Sequence, residues 1–236
     1  MKTGKQKQFF IVLAVFLILG ISFKVMVLVE GLTEVRPVNA IPPVAGLLCG
    51  PVGALACGLG NLIADLAGTF SLNSVLGFVG NFMAAWLPYR LWYLLSEDAP
   101  NLHSGKNIFR YCFICLLGAM TVAWILSFGL YLLQGTWLRQ IYTYVFFNNI
   151  GFSIGLGMPI LIVLTSDSVG IQGCNAPERY RFLESGFGKR TVLPVYAGLM
   201  ILLWVAVEVL ERNPEGSPWM LAVSVPAAAG LFLLSV

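Results

Sequence analysis

Apolar residues fall in long uninterrupted blocks along this chain, separated by short polar stretches. The blocks lie at about residues 9–29, 40–68, 74–95, 109–133, 141–164, 192–210 and 219–236. A strand with one buried face alternates apolar and polar residues with period two, and these blocks do not alternate. Several approach or exceed the roughly 18 residues that mark a bilayer span. Backbone amides in hydrocarbon must find their partners within the chain, which a helix provides. The pattern predicts an all-α, polytopic transmembrane helix bundle.

The block 40–68 does not read as one helix. It holds Pro42-Pro43 near its start and Cys49-Gly50-Pro51 in its middle. Gly-Pro is a turn signal, the residue before proline disfavours helix, and proline suits the first position of a new one. Two short helices are predicted, at about 41–49 and 51–67, folded back as a hairpin. At 1.5 Å per residue the first cannot cross about 30 Å of hydrocarbon, so it must be buried against neighbours. Gly46, Gly50, Gly53, Ala54, Cys57, Gly58 and Gly60 line the hairpin. Small residues at such spacings let membrane helices approach closely, which predicts the tightly packed centre of the bundle here.

Composition strengthens the membrane assignment. Hydrophobic residues make up 58 % and charged residues 11 % of the 236 positions, against roughly 25 % charged in a soluble domain. Mean hydropathy is +0.84. Secreted enzymes, soluble nucleotide-binding folds and disordered tails are excluded. A net charge of +3 is too small to suggest nucleic acid. Lys2, Lys5 and Lys7 before the first block resemble the start of a signal peptide. That block is too long for one and lacks a small-x-small site at its end, so a retained first helix is expected.

Charge also discriminates between topologies. With the N-terminus in the cytoplasm and a hairpin at 41–67, residues 68–73 are outside and residues 96–108 and 165–191 inside. Lys2, Lys5, Lys7, Arg90, Lys106, Arg110, Arg179, Arg181, Lys189 and Arg190 are then cytoplasmic, ten of the 14 basic residues. A single crossing at 41–67 would put both basic loops outside. The expected organisation is a six-helix core over 1–165, a basic cytoplasmic loop over 166–191 and two additional helices over 192–236. The expected location is a bacterial cytoplasmic membrane.

In this arrangement polar residues collect at the outer side. Glu30, Glu34, Arg36 and Asn39 follow the first helix, which carries Lys24 in its outer part. Asn61 and Asp65, four residues apart, share a helix face. Asn73 follows in a turn, Trp137, Tyr142 and Tyr144 border the next outer loop, and Asn148 and Asn149 lie just inside the sixth helix. An ionisable group within a span is costly and faces a cavity or a partner, which makes Asp65 the first candidate for contact with a small solute. Asn61, Asn148, Asn149, Lys24 and Arg36 complete the candidate substrate-binding set. The alternatives are structural. Asp65 caps its helix or pairs with Lys24, Lys24 snorkels to the surface, Arg36 and Glu34 are solvated charges, and the three aromatics form an interface belt. Adjacent Asn148 and Asn149 cannot share one face. One carboxylate with several amides suits a neutral or cationic heterocycle.

Other chemistries lack their parts. Four of the five cysteines lie in apolar runs, and Cys112-x-x-Cys115 has no second pair, so they are expected to pack as small hydrophobes. His103 is the only histidine, and no metal or cofactor is expected. A phosphate-cradling Gly-rich loop and Gly-x-Ser-x-Gly are both missing. No nucleophile and base pair can be assembled, so catalysis is not expected.

The stretch from Glu34 through Pro42-Pro43 and Cys49-Gly50-Pro51 to Asn61 and Asp65 resembles the helix 2–3 hairpin of substrate-binding S components of energy-coupling factor (ECF) vitamin transporters, the queuosine-precursor type among them. In that family a short helix ends at a Gly-Pro turn and a Gly-rich helix follows, ending in a polar residue. The resemblance is specific over about 34–95. It implies a six-helix fold, a pocket near the outer face, and capture of a small water-soluble micronutrient. It also implies a membrane coupling subunit with an ATPase pair as partners, which energise release by toppling the subunit in the bilayer. The Ala-x-x-x-Ala by which S components dock is missing from the first helix, where Ala14 is spaced from Phe10 and Ile18. The two C-terminal helices are also additional to the basic fold. Two other readings stand beside it. One is a bacterial membrane sensory or scaffold protein, although such domains usually precede an output domain and the sequence shows none before Val236. The other is a lipid-modifying enzyme, for which Asp65 lacks a second acidic partner.

Overall fold

The computed structural model describes residues 2–24, 26–29, 33–68, 70–135, 137–177, 186–210 and 219–235. Apart from one short ribbon these residues form a helical bundle. Helix α1 is Lys2–Ser22, α2 Ile41–Cys49, α3 Pro51–Leu66, α4 Asn73–Leu95 and α5 Gly105–Gln134. Helices α6 (Arg139–Phe152) and α7 (Met158–Thr165) run on through one wide π turn, Ser153–Gly157. Helix α8 (Leu193–Trp204) has a π turn at each end, and α9 is Trp219–Ser235.

The first helix departs from expectation. It begins within the lysine-rich segment and stops at Ser22, seven residues short of the predicted end at 29. The sequence that follows, Val25-Met-Val-Leu-Val29, is rich in β-branched residues, which fit a pleated strand better than a helix. Its last three residues form β1 (Val27–Val29), antiparallel to β2 (Thr33–Glu34), with Val27 opposite Glu34. Val35 N–H adds a further bond to Met26 O. Lys24 therefore sits in a turn beyond α1, not inside the helix.

The hairpin forms where Gly50-Pro51 places it. Gly50 has φ 57° and ψ −131°, a conformation that a side chain makes costly. Pro51 opens α3 at a position where no N–H is needed. A Cβ on Gly46 would overlap the carbonyl oxygen of Ala85 on α4, and one on Gly53 that of Ala45 on α2. One on Gly60 would lie 2.7 Å from the Phe16 ring of α1. These glycines bring backbone against backbone, and α2 is buried along nearly its whole length.

Helix α3 packs against α1, α2 and α4, and α4 against α5, which continues to α6. Helices α8 and α9 share this core: Tyr196, Met200, Leu203, Val207, Ala227 and Leu234 join the main apolar cluster. Trp124 of α5 donates to Ser224 Oγ at 3.0 Å, and Trp86 of α4 to Ser235 O at 3.1 Å.

Among the described residues, four helical stretches are long and apolar enough to cross a membrane: Gly4–Ser22, Gly105–Gln134, Arg139–Thr165 and Gly188–Val209. Large apolar side chains such as Phe10, Ile18, Phe109, Phe147, Val195 and Phe232 face outward, as lipid requires. This is a multi-pass membrane protein. The helix directions put the ends of α4 and α7, the starts of α1, α5 and α8, and the hairpin tip at one end of the bundle. Lys5, Lys7, Arg90, Lys106, Arg110, Lys189 and Arg190 lie toward that basic end. Arg179 and Arg181 fall outside the described residues.

Candidate functional site

At the opposite end, five segments converge. Helices α1 and α3 run in parallel, Gly20 meeting Ala64, so the turn after α1 brings Lys24 over the end of α3. Lys24 Nζ donates to Asp65 Oδ1 at 3.4 Å, with the two side chains 16 % and 15 % exposed. The i, i+4 spacing lets Asn61 Nδ2 donate to Asp65 Oδ2 at 3.1 Å. Asn61 Oδ1 accepts two bonds: from Arg36 Nη2 at 2.6 Å and from Asn81 Nδ2 of α4 at 3.1 Å. The Arg36 backbone N–H donates to Asn148 Oδ1 of α6 at 3.2 Å. The ribbon packs against the same helix.

Local structure supplies the room. A Cβ on Gly77 would run into Asn61 Nδ2, so this glycine makes the space in which the buried Asn61 amide turns toward α4. Arg36 sits just before the 3₁₀ turn Pro37–Ala40. That turn is fixed by Ser153 Oγ donating to Asn39 O, and Tyr111 Oη donates in turn to Ser153 O. The π turn of α6–α7 thus holds the segment that presents Arg36.

Of the six residues expected at the site, five meet in one network: Lys24, Arg36, Asn61, Asp65 and Asn148. Asn149 does not join it. Its side chain is spent on its own helix, donating to Val145 O at 2.9 Å. Glu34 closes the ribbon, but its side chain, like the whole of Glu30, lies outside the described residues. Asn73 opens α4 and accepts from Gln134 Nε2 at 2.8 Å. The aromatics divide. Trp137 and Tyr142 are buried, contrary to an interface belt, while Tyr144 is exposed. Asn81 was missed by the sequence reading. It is 8 % exposed and also donates to Gly77 O. An asparagine midway along an apolar helix was the available signal.

A second polar cluster at this end joins α6 to the end of α8. Thr143 Oγ1 donates to Glu208 Oε1 at 2.6 Å, and Arg139 pairs with Glu208 at 3.8 Å and donates to its backbone O. Its charges balance, and it reads as a clamp between the helices. Among the described residues no group of three His, Cys, Asp or Glu side chains could hold a metal. The five cysteines are unpaired.

The first network offers two cations, one carboxylate and three amides, partly open to solvent. Such a set has the chemistry to engage a polar group by charge and hydrogen bonding. Compared with protein-family models, curated proteins and solved structures, the chain matches none.

Proposed function

We propose that this protein is a membrane-embedded solute-binding subunit that captures a small water-soluble micronutrient, a vitamin or nucleobase-like compound, at the end of the bundle away from its basic loops. The observation that carries this is the network Lys24–Asp65–Asn61–Arg36–Asn148. It draws polar groups from the turn after α1, the segment before α2, and α3 and α6 into one place in a largely apolar bundle. Ionisable groups within a membrane bundle are expensive, and those that persist there tend to line a solute path or site. A tightly packed hairpin directly beneath gives the site a rigid floor.

The resemblance of residues 34–95 to S components supports the same reading and supplies its energetics: a membrane coupling subunit and an ATPase pair as separate partners. Docking would then use a surface other than an Ala-x-x-x-Ala in α1. The test is native mass spectrometry of the purified protein. A retained small molecule is expected, with its occupancy reduced about tenfold or more in Asn61→Leu, which removes the amide through which Arg36, Asn81 and Asp65 meet. Absence of any retained or stabilising solute rejects solute capture. Retention unchanged in Asn61→Leu rejects this site.

A further inference from the structure

Asp65 is already engaged. Lys24 meets one of its oxygens and Asn61 the other. The second cation in the network, Arg36, is in a different situation. Its guanidinium donates to the neutral oxygen of Asn61, and no ion pair of Arg36 is found among the described residues. The described charges here are two cations, Lys24 and Arg36, against one carboxylate.

Arg36 is also held firmly. Asn148 accepts its backbone N–H, and Asn61 accepts its Nη2. Both acceptors are amides that are about nine-tenths buried or more and sit on different helices. Asn61 is itself locked, since Oδ1 already takes two donors and Nδ2 serves Asp65. Neutral acceptors fix the direction of the guanidinium without cancelling its charge. A guanidinium has five N–H donors in a planar fork that matches a carboxylate or a phosphate bidentately. A half-buried cation without a counter-ion is unfavourable in a poorly solvated site, and an anion relieves that.

We infer that the solute carries an anionic group, a carboxylate or a phosphate, and that Arg36 is its anchor. Asn61 and Asn148 are positioning residues for that anchor. This rests on the solute-binding reading above and deepens it. It also reverses the preference for a neutral or cationic ligand drawn from Asp65, because Lys24 satisfies that carboxylate.

The test uses the full-length protein in detergent and two kinds of probe: nicotinate beside its neutral isostere nicotinamide, and inorganic phosphate. The readout is the midpoint of thermal unfolding. An acid or phosphate is expected to raise the midpoint where the amide does not, and the responding arm tells a carboxylate solute from a phosphorylated one. The shift should vanish in Arg36→Gln, survive in part in Arg36→Lys, which keeps charge without the fork, and persist in Arg139→Gln. Arg36→Lys also keeps the test valid where Arg36→Gln fails to fold. The inference is overturned by a shift of equal size with nicotinamide, by no shift with nicotinate or phosphate, or by a shift unchanged in Arg36→Gln. A co-purified solute that proves neutral and stays bound in Arg36→Gln overturns the anion anchor and leaves solute capture standing.

Discussion

Asp65 and Lys24 form a pair that neither the α3 face nor α1 could specify alone. The i, i+4 spacing of Asn61 and Asp65 was legible in the sequence because helix geometry fixes it. The pairing of Asp65 with Lys24 was one of the alternatives the sequence offered. That Asn61 accepts from Arg36 and Asn81 was not legible, because these two arrive from segments 20 or more positions away, and Asn148 joins only through the Arg36 backbone. Removing one member of such a pair strands the other, at a cost of about 1–3 kcal/mol for a hydrogen-bonded charged group. Lys24→Met is therefore expected to lower the thermal midpoint, and Lys24→Met/Asp65→Asn to recover part of the loss, as read from a double-mutant cycle in detergent. Asn81→Leu removes one of the two donors to Asn61 Oδ1 and, under the proposed solute capture, should weaken retention although Asn81 itself is buried. Asn149→Leu loses only a bond to its own helix and should leave retention unchanged. Cys174, in the loop after α7, has its thiol pushed above the ordinary range by burial. Thiolate is the reactive form, so maleimide labelling of Cys174, followed by peptide mapping, should be slow at neutral pH and quicken as pH rises.

At the scale of elements, the hairpin was the most legible feature. Proline and glycine act locally, so Gly50-Pro51 dictated the reversal and its position with little help from tertiary contacts. The end of α1 was harder to place, since a β-branched apolar run serves equally as a membrane helix or a strand, and pairing with residues 33–34 decides it. Close packing makes the glycines of α2 and α3 unequal to others. Gly46→Ala, which drives a methyl into the Ala85 carbonyl, should destabilise the protein by several times the roughly 0.5 kcal/mol typical of a neutral site. Gly118→Ala, on α5 with nothing within 4 Å of the new methyl, is the matched control and should be neutral or mildly stabilising. Thermal unfolding of both variants decides. Gly50→Ala adds conformational strain to a clash with Cys174 Sγ, 2.6 Å from the added carbon. Pairing it with Cys174→Ala should restore the steric part of the loss alone.

Across the whole molecule, charge divides the two ends. Of the described basic residues, those at the end carrying the polar network are Lys24, Arg36 and Arg139, and the rest lie toward the hairpin tip. The asymmetry predicts that the tip faces the cytoplasm. With native cysteines replaced, a cysteine at exposed Phe70 should label with an impermeant maleimide on intact cells, and one at Ser104 only after permeabilisation. The opposite pattern would invert the topology and put the solute site on the inner face. The overall class was readable because bilayer chemistry leaves few options. How α8 and α9 join the core was not, because their contacts through Tyr196, Ser224 and Ser235 depend on helix rotation that hydropathy does not encode.

The tip of the hairpin is covered by the loop after α7. Cys174 N–H donates to Leu47 O, and Tyr89 and Tyr93 of α4 hold that loop through the carbonyls of Asn175 and Cys174. Helix α3 therefore works as a rod of 16 residues, about 24 Å long, with the polar network near one end and a tethered strap at the other. A shift of that rod by even a fraction of a turn, driven by a guest settling against Arg36, would be delivered to the far surface as a change in how the strap lies. A docking protein there could sense whether the site is filled without reaching into it.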